Sequence, residues 1–309
     1  KVNYLLDIYI NIILLFLALF IFSLILFFSF GVSDISLMKV DISRGVPRSF
    51  GPTTEPSYAA LTLTISMWVI CSSINISYFK IRLLLLVYLT SIVLIGSGIG
   101  YITCAFLLLY IFFSSNFNLL RCEKITIISL LILSTFFISI DIDRLKPIFT
   151  VLKDISEFKT IWSLFDALKL VDSSAWFRFG PLIEYISDLK MDQTANFLFG
   201  NGAGTSTAYF GNKYILYLDP EWFGDDGKPN MDLAFLPAFL YDYGLIATLL
   251  LIRFVWNIGK SIKGAFFLLP IGCLIFLNSN FNTSLFWFFI YSLLVMNIIN
   301  TKENIVEKS

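Results

Sequence analysis

Arg44, Arg48 and Glu55 stand together in one short polar stretch that ends in Pro56 and Ser57, at the edge of an apolar run. Guanidinium forks match phosphate oxygens two at a time, so this stretch suits a phosphate headgroup, although a lone loop arginine also sits well among lipid phosphates. Further on, Arg178 lies between Phe177 and Phe179, a setting for an interfacial substrate contact or for a structural ion pair. Gly200, Asn201, Gly202 and Gly204 then form a GxGxG run. Successive backbone N–H groups at glycines can cradle an anion, and the same run also serves as a tight turn. It lacks the lysine of a nucleotide-binding P-loop. Asp232 opens an apolar run, where the helix dipole favours an anion or a simple cap. Asp242 lies deep within that run, and a carboxylate at such a depth is either functional or a paired structural charge.

The chain contains no histidine, so no imidazole is available as a general base. Of its 309 residues, 57% are hydrophobic and 14% charged, with 33 Phe and a formal net charge of zero. That composition, with a mean hydropathy of +0.81, belongs to a polytopic membrane protein. A neutral chain without basic blocks excludes nucleic acid as a partner. Cys71, Cys104, Cys122 and Cys273 lie singly in or beside apolar runs, which argues against disulfides and thiolate metal sites.

A spanning helix needs about 20 apolar residues to cross roughly 30 Å of hydrocarbon. Runs of that kind extend over Tyr4 to Phe30, Ser57 to Ile76, Ile125 to Ile140, Met231 to Ile252, Gly264 to Leu277 and Asn282 to Ile299. The first of these enters a polar loop without a small-residue cleavage site, so it is expected to be a membrane helix and not a signal peptide. Because the chain begins at Lys1, earlier helices are expected to precede it. Leu83 to Phe113 is too long for one crossing, at about 46 Å if continuous. Gly96, Gly98 and Gly100 predict a break there and two short crossings.

With that hairpin, Lys1, Lys80, Arg82, Arg121, Lys124, Arg253, Lys260, Lys263, Lys302 and Lys308 fall on one side, opposite Lys39, Arg44 and Arg48. The positive-inside rule then places both termini in the cytoplasm. The expected fold is an all-α polytopic bundle of about eight transmembrane helices, one pair short and Gly-broken. It forms a single membrane domain over 1–309, with a large, partly helical periplasmic loop over 141–231. Within that loop, Ile148 to Leu168 has the spacing of an amphipathic surface helix after Pro147. A second helix is expected after Ser173 or Ser174, running through Trp176, Leu182, Ile186 and Leu189 despite Gly180-Pro181.

Taken in order, the arginine-containing loop ending Glu55-Pro56-Ser57, the glycine break, Arg178, Phe-Gly200-Asn201-Gly202-Ala-Gly204-Thr, and Asp232 some way before Tyr-Gly-Leu-Ile resemble the O-antigen polymerase and ligase family. The likeness spans Arg44 to Ile252. It implies a glycosyltransferase of the bacterial inner membrane, multi-pass, with its active site facing the periplasm. Such an enzyme joins oligosaccharide units carried on undecaprenyl diphosphate, in O-antigen or capsular polysaccharide synthesis, without a metal, cofactor or nucleotide sugar.

The resemblance further implies that Arg48 and Arg178 contact the diphosphate, with Arg44 a weaker claimant. Gly200, Asn201, Gly202 and Gly204 join them as diphosphate-binding residues. It makes Asp232 the candidate for acceptor activation, at a position where ligase-type relatives place a histidine. That departure favours polymerase over ligase. Glu55 or Asp232 would serve as base, and Arg178 would stabilise the leaving diphosphate. Membrane lipids and a chain-length regulator complete the expected partners. A lipid-linked oligosaccharide flippase or other transporter is the competing class, followed by an assembly partner of a glycan pathway.

Overall fold

A computed structural model describes residues 2–31, 33–35, 38–41, 48–49, 55–73, 76–113, 180–183, 185–186, 189, 194–214, 233–260, 262, 265–278 and 284–306. The chain divides into two compact units: Lys1–Ile140 with Asn257–Ile275 and Trp287–Ser309, and Asp141–Trp256 with Phe276–Phe286. The expected run at Ile125 to Ile140 and the amphipathic stretch from Ile148 to Leu168 lie outside the described residues.

The architecture is that of a helical membrane protein. The helices are α1 (Val2–Phe30), α2 (Pro56–Cys71), α3 (Tyr78–Ile95), α4 (Gly98–Phe113), α5 (Thr194–Phe199), α6 (Thr205–Tyr214), α7 (Phe235–Gly259), α8 (Ala265–Asn278) and α9 (Ser284–Val306). Three of them hold segments long and apolar enough to cross a bilayer: Tyr4–Phe30, Tyr78–Ile95 and Phe235–Gly259. Pro56–Cys71, Gly98–Phe113, Leu268–Leu277 and Ser284–Ile299 are shorter apolar helices. Leu14, Leu15, Phe22 and Ile25 of α1, and Leu249, Leu250 and Phe254 of α7, are exposed. Apolar side chains turned outward on helices of this length are solvated by lipid tails, not by water.

In the first unit α1, α3 and α4 pack against α2. Nearly every residue of α2 from Ser57 to Cys71 is buried, as expected of a helix apolar on all sides. Close approach is possible because small residues meet: a Cβ added to Gly100 would lie 2.9 Å from the Cβ of Ala60. Hydroxyls tie the same helices together. Thr64 Oγ1 donates to the Ala60 carbonyl (2.8 Å) and lies 2.9 Å from Tyr88 Oη and 3.1 Å from Thr103 Oγ1. Trp68 stacks on Tyr110 with centroids 4.5 Å apart. On the α9 side, Tyr9 Oη lies 3.0 Å from Ser292 Oγ.

The glycine break falls where the sequence places it. Helix α3 ends at Ile95, Gly96 adopts φ 59°, and its N–H donates to the Ile92 carbonyl before α4 begins at Gly98. A left-handed residue after the last turn is the usual way to stop a helix, and glycine adopts it without a steric penalty.

The polar stretch after α1 contains short strands that the apolar periodicity does not announce. β1 (Asp34–Ile35), β2 (Met38–Asp41) and β3 (Arg48–Ser49) pair antiparallel in that order, with Asp34 opposite Lys39 and Asp41 opposite Arg48.

Candidate functional site

The best-defined polar constellation lies in the second unit, where the glycine-rich loop meets a break in α7. Gly244 has φ 81° and ψ 174°, outside helical space and in a region that side chains disfavour. A Cβ there would lie 2.5 Å from Gly200 N and collide with the Leu198 carbonyl, and a Cβ on Gly200 would collide with the Asp242 carbonyl. Two backbones therefore touch directly, and both contact residues must be glycine. The Tyr241 and Asp242 carbonyls precede the break, and their usual helical partners, the amides of Leu245 and Ile246, follow it. Asn201 N–H donates to Tyr241 O and Gly202 N–H to Asp242 O, each at 3.0 Å. Irregular backbone inside a membrane-length helix is tolerated where other protein groups satisfy it in this way.

The Asp242 side chain completes the junction. Its Oδ2 accepts from Gly204 N–H (2.9 Å), and its Oδ1 accepts from Ser206 N–H (2.8 Å) and, more weakly at 3.3 Å, from the Thr205 hydroxyl, whose proton is shared with the Gly202 carbonyl at 2.7 Å. Asp242 is only 9% exposed, and these three donors replace the water that its carboxylate loses. It also faces the first turn of α6, where the helix dipole favours negative charge.

An aromatic cluster surrounds the junction. Tyr241 stacks on Tyr209 (centroids 4.6 Å apart) and contacts Tyr185 (4.9 Å) and Phe210 (5.3 Å). Asn201 Nδ2 donates both to Tyr185 Oη (3.2 Å) and to the Tyr241 carbonyl (3.1 Å). Burial pushes the Tyr185 phenol above its ordinary range, and the Asn201 contact partly opposes that shift. The phenol therefore stays neutral and available as an acceptor at physiological pH.

No protein-family model, curated protein or solved structure matches this chain.

Of the amides of the glycine-rich run, Gly204 N–H meets an anion, and that anion is the chain's own Asp242. Gly200 N–H donates to Asn196 O (2.7 Å), and the Asn201, Gly202 and Gly204 amides are committed to Tyr241 and Asp242 as described. A diphosphate would have to displace Asp242 to use Gly204, so these four amides serve the fold in this arrangement. Asp242, read from the sequence as either functional or structurally paired, is paired with backbone and hydroxyl donors.

The remaining candidates divide by location. Glu55 is exposed and takes the N-cap position of α2 in extended conformation, with Pro56 in the first turn. Its Oε2 accepts from the Ser57 hydroxyl at 2.9 Å. Arg48 lies on β3, in the same unit as Glu55. Arg44, Arg178 and Asp232 lie outside the described residues. Among the described residues no group of His, Cys, Asp and Glu is placed to hold a metal. The bridging role of Asn201 and the part played by Tyr185 carry no signature in the sequence, since an amide and a phenol fifteen residues or more apart have no diagnostic spacing. Gly244 did have a signal: a glycine beside Asp242 inside an apolar run.

Proposed function

We propose that this chain is a metal-independent glycan polymerase that joins oligosaccharide units carried on undecaprenyl diphosphate. In this reading the chain crosses the bacterial inner membrane about eight times and works at the periplasmic face. Arg178, Arg48 and Arg44 neutralise charge on the departing diphosphate, as guanidiniums in a low-dielectric setting can without Mg²⁺. The acceptor hydroxyl attacks the anomeric carbon, the sugar–diphosphate bond breaks, and Asp232 or Glu55 takes the hydroxyl proton.

One observation carries the reading. Two of the stretches behind the family resemblance, Gly200 to Thr205 and Tyr243 to Ile246, are about forty residues apart in sequence and meet as one junction sealed by Asp242. A resemblance made of unrelated short matches would not be expected to converge in space.

The interrupted α7 supports a second reading, a transporter, because secondary transporters typically bind substrate and coupling ions at discontinuous helices. The glycine loop satisfies the carbonyls at this break, which leaves them committed to the chain itself. Arg178→Ala and Arg48→Ala should each abolish long glycan chains while single-unit glycolipid accumulates. Purified protein should also lengthen glycans in detergent micelles, whereas a flippase needs two compartments. Intact polymer in both variants would refute the proposal.

A further inference from the structure

Gly180 follows Arg178 by two residues in sequence, and the segment it begins is firmly seated. Residues 180–183 and 185–186 are helical, and Gly180 and Pro181 are buried. Leu182 packs against a core made of Tyr185, Phe210, Leu233, Leu240 and Tyr241. Among the described residues, one side-chain amide ties this segment to both the glycine loop and the broken helix. Asn201 Nδ2 donates to Tyr185 Oη and to the Tyr241 carbonyl, its own N–H holds that same carbonyl, and Asp242 fixes the next residues of the loop through Gly204 and Ser206.

We infer that Asn201 and Asp242 are positioning residues, which hold residues 180–186, the segment that follows Arg178 in sequence, against α7 through Tyr185. In catalytic terms this rests on the proposed glycan transfer; in structural terms it stands alone. Asp242 clamps the loop, the clamped loop aims Asn201, and Asn201 holds Tyr185. Displacing a catalytic guanidinium by even an ångström lowers rate more than affinity, because the charge it meets develops fully only as the diphosphate leaves.

Two arms test this on the full-length purified protein. In hydrogen exchange, Asn201→Ala and Asn201→Leu should each accelerate amides in residues 180–189 roughly five- to tenfold, with α2 and α3 unchanged. Asn201→Leu keeps the branching at Cγ and removes every donor and acceptor of the side chain, so it separates hydrogen bonding from packing. Unchanged exchange in residues 180–189 would overturn the inference.

In the kinetic arm the probe is the undecaprenyl-diphosphate-linked repeat unit extracted from cells lacking this chain. Asn201→Ala should lower kcat about tenfold with little change in KM, and should cost clearly less than that when added to Arg178→Lys, which keeps a cation and residual turnover. Losses that multiply would mean that Asn201 does not act through Arg178. If Arg178→Ala alone polymerises normally, the glycan reading fails, and hydrogen exchange still decides whether Asn201 anchors the segment.

Discussion

Gly244→Ala separates a broken α7 from a continuous one by the sign of its effect. In an uninterrupted helix, alanine for glycine stabilises by about 1 kcal/mol, because glycine loses more backbone freedom on folding. At φ 81° and ψ 174° the same change instead forces a side chain into a region worth about 1–3 kcal/mol of strain. The new Cβ also meets the Leu198 carbonyl, so the loop must withdraw. Withdrawal costs the bonds from Asn201 N–H to Tyr241 O and from Gly202 N–H to Asp242 O, about 1 kcal/mol each. The expected net destabilisation is about 3–5 kcal/mol.

Gly200→Ala breaks the same contact from the other side, where its Cβ meets the Asp242 carbonyl. The double variant should therefore lose clearly less than the sum of the two. The assay is SDS titration of the purified chain in detergent micelles, followed by circular dichroism. A stabilised or unchanged Gly244→Ala protein, or strict additivity with Gly200→Ala, would refute the packing argument.

Two further changes probe the same physics. Asp242→Ala strands the Gly204 and Ser206 amides and should destabilise by about 2–4 kcal/mol in the same titration, with Asp242→Asn intermediate because its single carbonyl oxygen can still accept. In the first unit, Thr64→Val removes the hydroxyl shared with Tyr88 and Thr103 and should cost about 1 kcal/mol, an effect that should vanish in a Tyr88→Phe, Thr103→Val background.

Much of the membrane part is legible in the sequence. Apolar runs of bilayer length mark α1, α3 and α7, and the clustered glycines mark the stop between α3 and α4, because burial in lipid and left-handed backbone both leave strong local signals. The short strands around Arg48 leave no such signal, since two- to four-residue ladders in a polar loop have no periodicity to read. The GxGxG run reads equally as an anion nest or a tight turn, and nothing local says that Gly204 meets Asp242 while the Asn201 and Gly202 amides meet the carbonyls of a broken helix.

The sequence alone determined that this chain lives in a membrane, where α3 stops, and which arginines and carboxylates are candidates for chemistry, because residue type and spacing settle solvation and backbone freedom. Only the tertiary structure decided that α7 breaks at Gly244, that Gly244 meets Gly200, that Asp242 accepts from Gly204 and Ser206, and that Asn201 joins Tyr185 to Tyr241. Those contacts link residues tens of positions apart, and whether two such groups meet depends on how the intervening chain folds back, which no local pattern encodes.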